Sequence, residues 1–181
     1  MKTLVFDLET TDFKSDIGIL LVASFGELDN EGNIVDQYTE DIQSIGKGTV
    51  AQREKKLAVW TKQMYSECDI LIGHNSLAFD RHFLNGVCFR QGIGLLPKKV
   101  MHIDTCMIAR GSLAMSASMR NLVDILGLGA KDNPHKDDWR NANAGDPAAL
   151  ARIRERCVSD VEMTARMWQR MKPVYLSKWG K

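Results

Sequence analysis

Several common features are missing from this 181-residue chain, and each absence excludes a class of protein. The four cysteines, Cys68, Cys88, Cys106 and Cys157, form no CxxC pair and sit among apolar neighbours. That spacing fits neither a disulfide framework nor a cysteine–histidine zinc site, so reduced, buried thiols in an intracellular protein are expected. No apolar run is long enough to span a bilayer, and Asp7 and Glu9 interrupt the start, so no signal peptide is expected. Internal repeats and low-complexity segments are missing too. So is a dominant charge: 24 Lys+Arg against 23 Asp+Glu leave a net charge of +1, so no global field advertises nucleic acid. The C-terminal part is locally more basic, with Arg152, Arg154, Arg156, Arg166, Arg170, Lys172, Lys178 and Lys181 against Glu155, Asp160 and Glu162. A solvated helix face and a phosphate-tracking surface account for it equally well.

What is present suits a single domain over residues 1–181 with an ordinary core. Residues 2–8 read as a strand ending in carboxylates. "IGILLVASFGEL" (17–28) reads as a long buried strand, "DNEG" as a hairpin turn and "NIVDQYTED" (33–41) as an alternating third strand. The period then changes. Val50, Leu57, Trp60 and Met64 suit an amphipathic helix over 49–67. "DILIGHN" (69–75) and "KVMHIDT" (99–105) read as short strands on either side of a helix carrying Phe83, Leu84, Val87 and Cys88. "SASMRNLVDILGLG" (116–129) opens on a serine cap and ends in glycines. Residues 129–146 read as a polar loop. One or two helices follow, with Asp146 as cap, Pro147 at the first position and Pro173 as the stop. An antiparallel meander followed by alternating strands and helices predicts an α/β layout on a mixed sheet.

Four acids carry the chemistry. In "LVFDLETTDF", Asp7 and Glu9 lie two apart at a strand end and so point to one side, where like charges repel. Asp80 follows "GHNSLAF" at the start of a helix, and Asp160 sits in the apolar helical context "CVSDVEMT". Singly, each has an ordinary explanation. An aspartate before a helix is most often a cap, and a helical carboxylate usually faces water. The paired acids of "DLE" fit those readings least. A divalent cation removes the repulsion, and hard oxygen ligands suit Mg²⁺ or Mn²⁺. Two such ions about 4 Å apart can serve phosphodiester chemistry, given carboxylates from several elements.

These stretches resemble a known family. "FDLETT", "GHNSLAFDRHFL" and "CVSDVEMT", in that order and spacing, are similar to the three motifs of the DEDD superfamily of 3′–5′ exonucleases, which share the RNase H-like fold. The resemblance covers nearly the whole chain. It implies a mixed five-stranded sheet with helices on both sides. It also implies two Mg²⁺ or Mn²⁺ ions on Asp7, Glu9, Asp80 and Asp160, with Thr10, Asn75 and Phe79 near the substrate. The implied activity is two-metal-ion hydrolysis at the 3′ end of single-stranded DNA or RNA, releasing nucleoside 5′-monophosphates. Core packing is an equal expectation for Phe79. "LGLGAK", a polar loop with a tryptophan and "GDPAAL" resemble small free-standing phage and bacterial members of the tyrosine subtype, which implies a bacterial cytoplasm.

The chain departs from that pattern at one place. Family members orient the attacking water with a tyrosine four residues before the third-motif aspartate or a histidine five before it. Here those positions hold Arg156 and Glu155. Arginine has only donors and stays protonated, so it is no general base. From one turn away it can pair with Asp160 or with the scissile phosphate, and stabilise charge in the transition state. His74, His102 and His135 are the other candidate bases. Lys136 and Trp139 either reach substrate or anchor the polar loop, with anchoring favoured for Trp139. Two other functions stay open: a weakened or inactive nuclease-fold module that binds nucleic-acid ends or a protein partner, and an RNase H-like endonuclease.

Overall fold

The computed structural model describes residues 1–129 and 135–179. Residues 130–134 of the expected polar loop, and Lys181 of the basic tail, lie outside the described residues. Strands β1 (Thr3–Thr10), β2 (Leu20–Leu28) and β3 (Ile34–Asp41) form the expected meander. Helix α1 (Val50–Ser66), strand β4 (Ile70–Gly73), helix α2 (Asp80–Gln91) and strand β5 (Met101–Asp104) follow. Helices α3 (Thr105–Ser112), α4 (Met119–Ile125), α5 (Asp138–Asn143) and α6 (Pro147–Trp179) complete the described fold. The sheet has the order β3-β2-β1-β4-β5. β1 and β3 run antiparallel to β2, whereas β4 runs parallel to both β1 and β5. The expected mixed five-stranded sheet is therefore present, with β1 at its centre.

Alternation along β1 divides the core. Leu4, Phe6 and Leu8 join the cluster built with α1 and α2, including Leu57, Phe83 and Leu84. Val5 joins Ile72, Ile103, Leu122 and the later part of α6, from Val161 to Met171. The first part of α6 (Ala149, Leu150, Ile153, Cys157) belongs to the first cluster, so one helix serves both. At the end of β1 the register slips: Glu9 faces Val22 but Thr10 faces Leu20. Such a bulge re-aims side chains at a strand end.

The second motif is held by buried polar groups. Gly73 ends β4 where Ser76 packs so closely that any side chain would overlap it. Asn75 turns the chain at φ 60°. Asp104 accepts hydrogen bonds from the backbone N–H groups of Asn75 (2.8 Å), Leu77 (3.0 Å) and Cys106 (2.9 Å), joining that turn to the start of α3. His102 lies beneath, with Nε2 at 2.8 Å from Ser76 Oγ and Nδ1 at 3.3 Å from the Tyr65 hydroxyl. On the same face, the buried Glu54 of α1 accepts from Leu20 N–H (3.1 Å), Arg90 (2.7 Å) and Gln91 (2.8 Å), tying α1, α2 and β2 together.

The helical boundaries differ from expectation in four places. Ser118, not Ser116, caps α4, accepting from Asn121 N–H at 3.3 Å. Two helices were not foreseen: α3, and α5 within the expected loop. α6 does start on Asp146, whose carboxylate accepts from Ala148 and Ala149 N–H. It then continues through Pro173 to Trp179. Proline removes one helical hydrogen bond and crowds the preceding turn. Packing outweighs that cost here, because Met171, Val174 and Tyr175 sit against the second core cluster and the Trp168, Tyr175 and Trp179 rings form a continuous series. Among the described residues no helix is long and apolar enough to cross a membrane.

Two stability predictions follow from the buried polar groups. Glu54→Ala should cost about 2–3 kcal/mol in urea unfolding, since it removes the acceptor of Leu20 N–H and leaves Arg90 with the Gly18 carbonyl but no carboxylate. Burial lowers the His102 pKa to about 4, so the folded protein resists a proton that the unfolded chain accepts near 6.5. Stability should therefore fall as pH drops from 6.5 towards 4. His102→Gln keeps the contact to Ser76 and should flatten that acid limb when urea midpoints are compared at pH 7 and pH 5.

Candidate metal centre

The site forms where the end of β1 meets the middle of α6. Asp7 and Glu9 project from β1 on the Val5 side, and α6 crosses them so that Asp160 faces the same space. The Cys157 thiol donates to the Asp7 carbonyl at 3.3 Å, which fixes the height of the helix against the strand. Among the described residues, Asp7, Glu9 and Asp160 each offer a carboxylate oxygen within 4.8 Å of the other two. Glu9 and Asp160 are buried and Asp7 is half-buried. Three hard, anionic oxygens converging in a partly desolvated place fit a divalent ion such as Mg²⁺ or Mn²⁺. Burial pushes the Glu9 carboxyl up, the Arg156 charge and the Trp139 N–H pull it down, and Asp160 pushes it up again.

Asp80 takes a position beside that cluster and not within it. Phe79 holds the N-cap position of α2 and makes no side-chain cap, so the ordinary role of Asp80 as a cap does not apply. The Asp80 carboxylate instead accepts from Leu8 N–H at 3.2 Å, between the two acids of β1. Its pKa is raised to about 7, first by burial and then by the charges of Glu9 and Asp104, against hydrogen bonds from backbone N–H groups.

Arg156 is turned into the cluster. Its Nε donates to Glu9 at 2.8 Å, and Nη2 lies 3.4 Å from Asp160, one turn along the helix. The indole N–H of Trp139, on α5, donates to the other Glu9 oxygen at 2.8 Å. The guanidinium carbon stands 5.6 Å from the centre of the Trp139 ring. Trp139 thus anchors its segment, as expected, and does so directly on a motif acid. α5 is also fastened to α6 by the Arg152–Asp138 pair at 2.7 Å.

A cavity of about 390 Å³ opens over these groups. Glu9, Thr10, Phe13, Phe79, Lys136, Trp139 and Arg156 are among its walls. Thr10 and Phe79 line this cavity, and Phe79 also packs against the core. Asn75 is in the turn instead, with its backbone bonded to Asp104 and its side chain accepting from Cys106. The candidate bases are placed elsewhere in the hydrogen-bonding scheme. His102 belongs to the buried network below the turn, His74 contacts Thr105 at 2.9 Å, and His135 pairs with Asp137 at 3.5 Å on the surface. Phe13 was not singled out from the sequence. It is 86% exposed, and its ring meets Phe79 edge-on at 5.7 Å. An apolar residue just after "DLETTD", in a segment otherwise polar, was the available signal.

No protein-family model matches this chain, and neither does any curated protein sequence. Solved structures do match its fold. One is NrnC from Brucella melitensis, with a TM-score of 0.64 and 14% identity, covering 99% of this chain and 76% of that one. Another is the catalytic core of RRP6 from Trypanosoma brucei, at 0.64 and 16%, covering 97% of this chain and 42% of that one. A third is the zinc-bound E. coli ExoI–ssDNA complex, at 0.61 and 15%, covering 95% and 40%. The chain therefore spans less than half the length of the RRP6 and ExoI chains, and at such identities the shared feature is the RNase H-like fold itself.

Proposed function

We propose that this protein is a metal-dependent 3′–5′ exonuclease acting on single-stranded DNA or RNA ends. The observation that carries the reading is the convergence of Asp7, Glu9 and Asp160 within 4.8 Å, with Glu9 also lining an open cavity. The shared fold with an exonuclease complexed to single-stranded DNA supports it. Asp7, Glu9 and Asp160 would hold the first divalent ion, and Asp80 would serve a second. Bound there, Mg²⁺ or Mn²⁺ would supply Lewis-acid stabilisation of charge developing on the phosphoryl oxygens.

The chain's own residues account for the rest. Phe13 and Phe79 offer an edge and a face at the rim, where the 3′-terminal base can stack, since base–aromatic stacking tolerates any sequence. Lys136 and Arg156 give the cavity positive charge for the phosphates. Arg156 stays protonated, because Asp160, Glu9 and Asp7 outweigh the effect of burial on its charge. It therefore orients and neutralises, and takes no proton. Thr10 lies next to Glu9 on the cavity wall, within reach of the terminal sugar.

One observation favours the alternative of a binding module: Arg156 and Trp139 already satisfy both Glu9 oxygens. Turnover separates the two. With Mg²⁺ or Mn²⁺, 5′-labelled oligonucleotides should shorten stepwise from the 3′ end, and Asp7→Ala should reduce the rate by at least about 10³-fold. Parent protein that binds the strand without shortening it would leave the binding module as the reading. Phe13→Ala should raise KM for oligonucleotides several-fold with little change in kcat, consistent with about 1–3 kcal/mol of stacking per base. A fall in kcat alone would remove Phe13 from substrate binding.

A further inference from the structure

Three carboxylates that approach within 4.8 Å need a counter-charge, and this chain carries one of its own. The Arg156 guanidinium reaches Glu9 at 2.8 Å and Asp160 at 3.4 Å. It is held in that pose. The Trp139 ring lies beside it, and the Trp139 N–H takes the other Glu9 oxygen. The Arg156, Glu9 and Asp160 side chains are only 18%, 10% and 6% exposed, so water does little to screen the pairing.

We propose that Arg156 is a resident cation of this cluster, competing with divalent ions for Glu9 and Asp160 and thereby setting how much metal the site requires. The inference rests on the metal-binding reading of Asp7, Glu9 and Asp160 and deepens it. Arg156 Nε takes one Glu9 oxygen and the Trp139 N–H takes the other, so an ion must share those oxygens with their donors or displace them. A guanidinium and a divalent ion sharing one partly desolvated carboxylate also repel each other. The seated Arg156 therefore opposes metal entry, and moving the arginine away eases it. Its side chain already lines the adjoining cavity, which gives it somewhere to go. Apparent metal affinity is reduced by the fraction of molecules with the arginine seated. A tyrosine at this position would pose no such competition, since it carries no positive charge.

The test is Mn²⁺ binding to chelator-stripped protein by isothermal titration calorimetry, on the parent, Arg156→Gln, Arg156→Lys and Asp7→Asn. Arg156→Gln should bind Mn²⁺ at least about tenfold more tightly than the parent. Arg156→Lys should fall between them, because it keeps the charge but loses the planar fork. Asp7→Asn should weaken binding. Thermal unfolding gives a second readout independent of catalysis. Without metal, Arg156→Gln should melt below the parent, since the acids lose their counter-charge; saturating Mn²⁺ should raise its Tm by more than it raises the parent's. Equal affinities, or tighter binding by the parent, overturn the proposal, while stepwise shortening of oligonucleotides by that same parent would leave the exonuclease reading standing. If neither protein binds Mn²⁺, both readings fall. If Arg156→Gln fails to fold without metal, Arg156→Lys decides, and an affinity no tighter than the parent's overturns the proposal.

Discussion

The contact between the end of β1 and the middle of α6 governs the rest of this molecule. Acids two residues apart on a central strand are brought under an acid on a crossing helix, and their charges have to be balanced. The protein supplies that balance with Arg156 from the same helix and Trp139 from α5. Strand, helix and loop segment are thus joined through one carboxylate, Glu9. The apolar parts of the fold serve this arrangement. α6 shares residues with both core clusters, which fixes its course across the sheet. The Cys157–Asp7 contact fixes its height.

Asp80 depends on a separate support. Its place at the start of α2 follows from the sharp turn after β4, which Gly73, Ser76 and Asn75 make possible and Asp104 fastens from below. The second motif is therefore a structural device as much as a chemical one. Its asparagine and serine shape the backbone, and its aspartate arrives next to Leu8 N–H as a result. Burial, with the charges of Glu9 and Asp104, raises the Asp80 carboxyl to about 7 in this place.

The five strands, α1, α2 and the Asp146 cap were legible in the sequence because their signals are local: alternation, helical spacing and a capping side chain. Of the four acids that the three motifs marked, Asp7, Glu9 and Asp160 lie within 4.8 Å of one another and Asp80 lies beside them. What was not legible depends on distance in the chain. α5 is six residues long and is held by Arg152 and by the bond from Trp139 to Glu9, a partner 130 positions away. α6 passes Pro173 because ring packing outweighs a local breaker. The sequence marked Arg156 as a departure and named Asp160 as a partner at one helical turn. It held no sign that Glu9, 147 positions away, would be the closer one. His102 looked like a candidate base until its surroundings were known. Burial among Ser76, Tyr65 and Phe6 makes it part of the scaffold.

The triangle of Glu9, Arg156 and Trp139 has a consequence for how this protein can change over time. Residues in direct contact rarely contribute independently, so the effect of substituting one corner depends on the state of the other two. Replacing Arg156 with tyrosine removes a charge from Glu9 and a neighbour from the Trp139 ring in a single step. A change at 156 that leaves stability unaltered therefore needs a compensating change at 139 or nearby. The arginine is thus tied to its neighbours by structure, independently of any part it takes in catalysis.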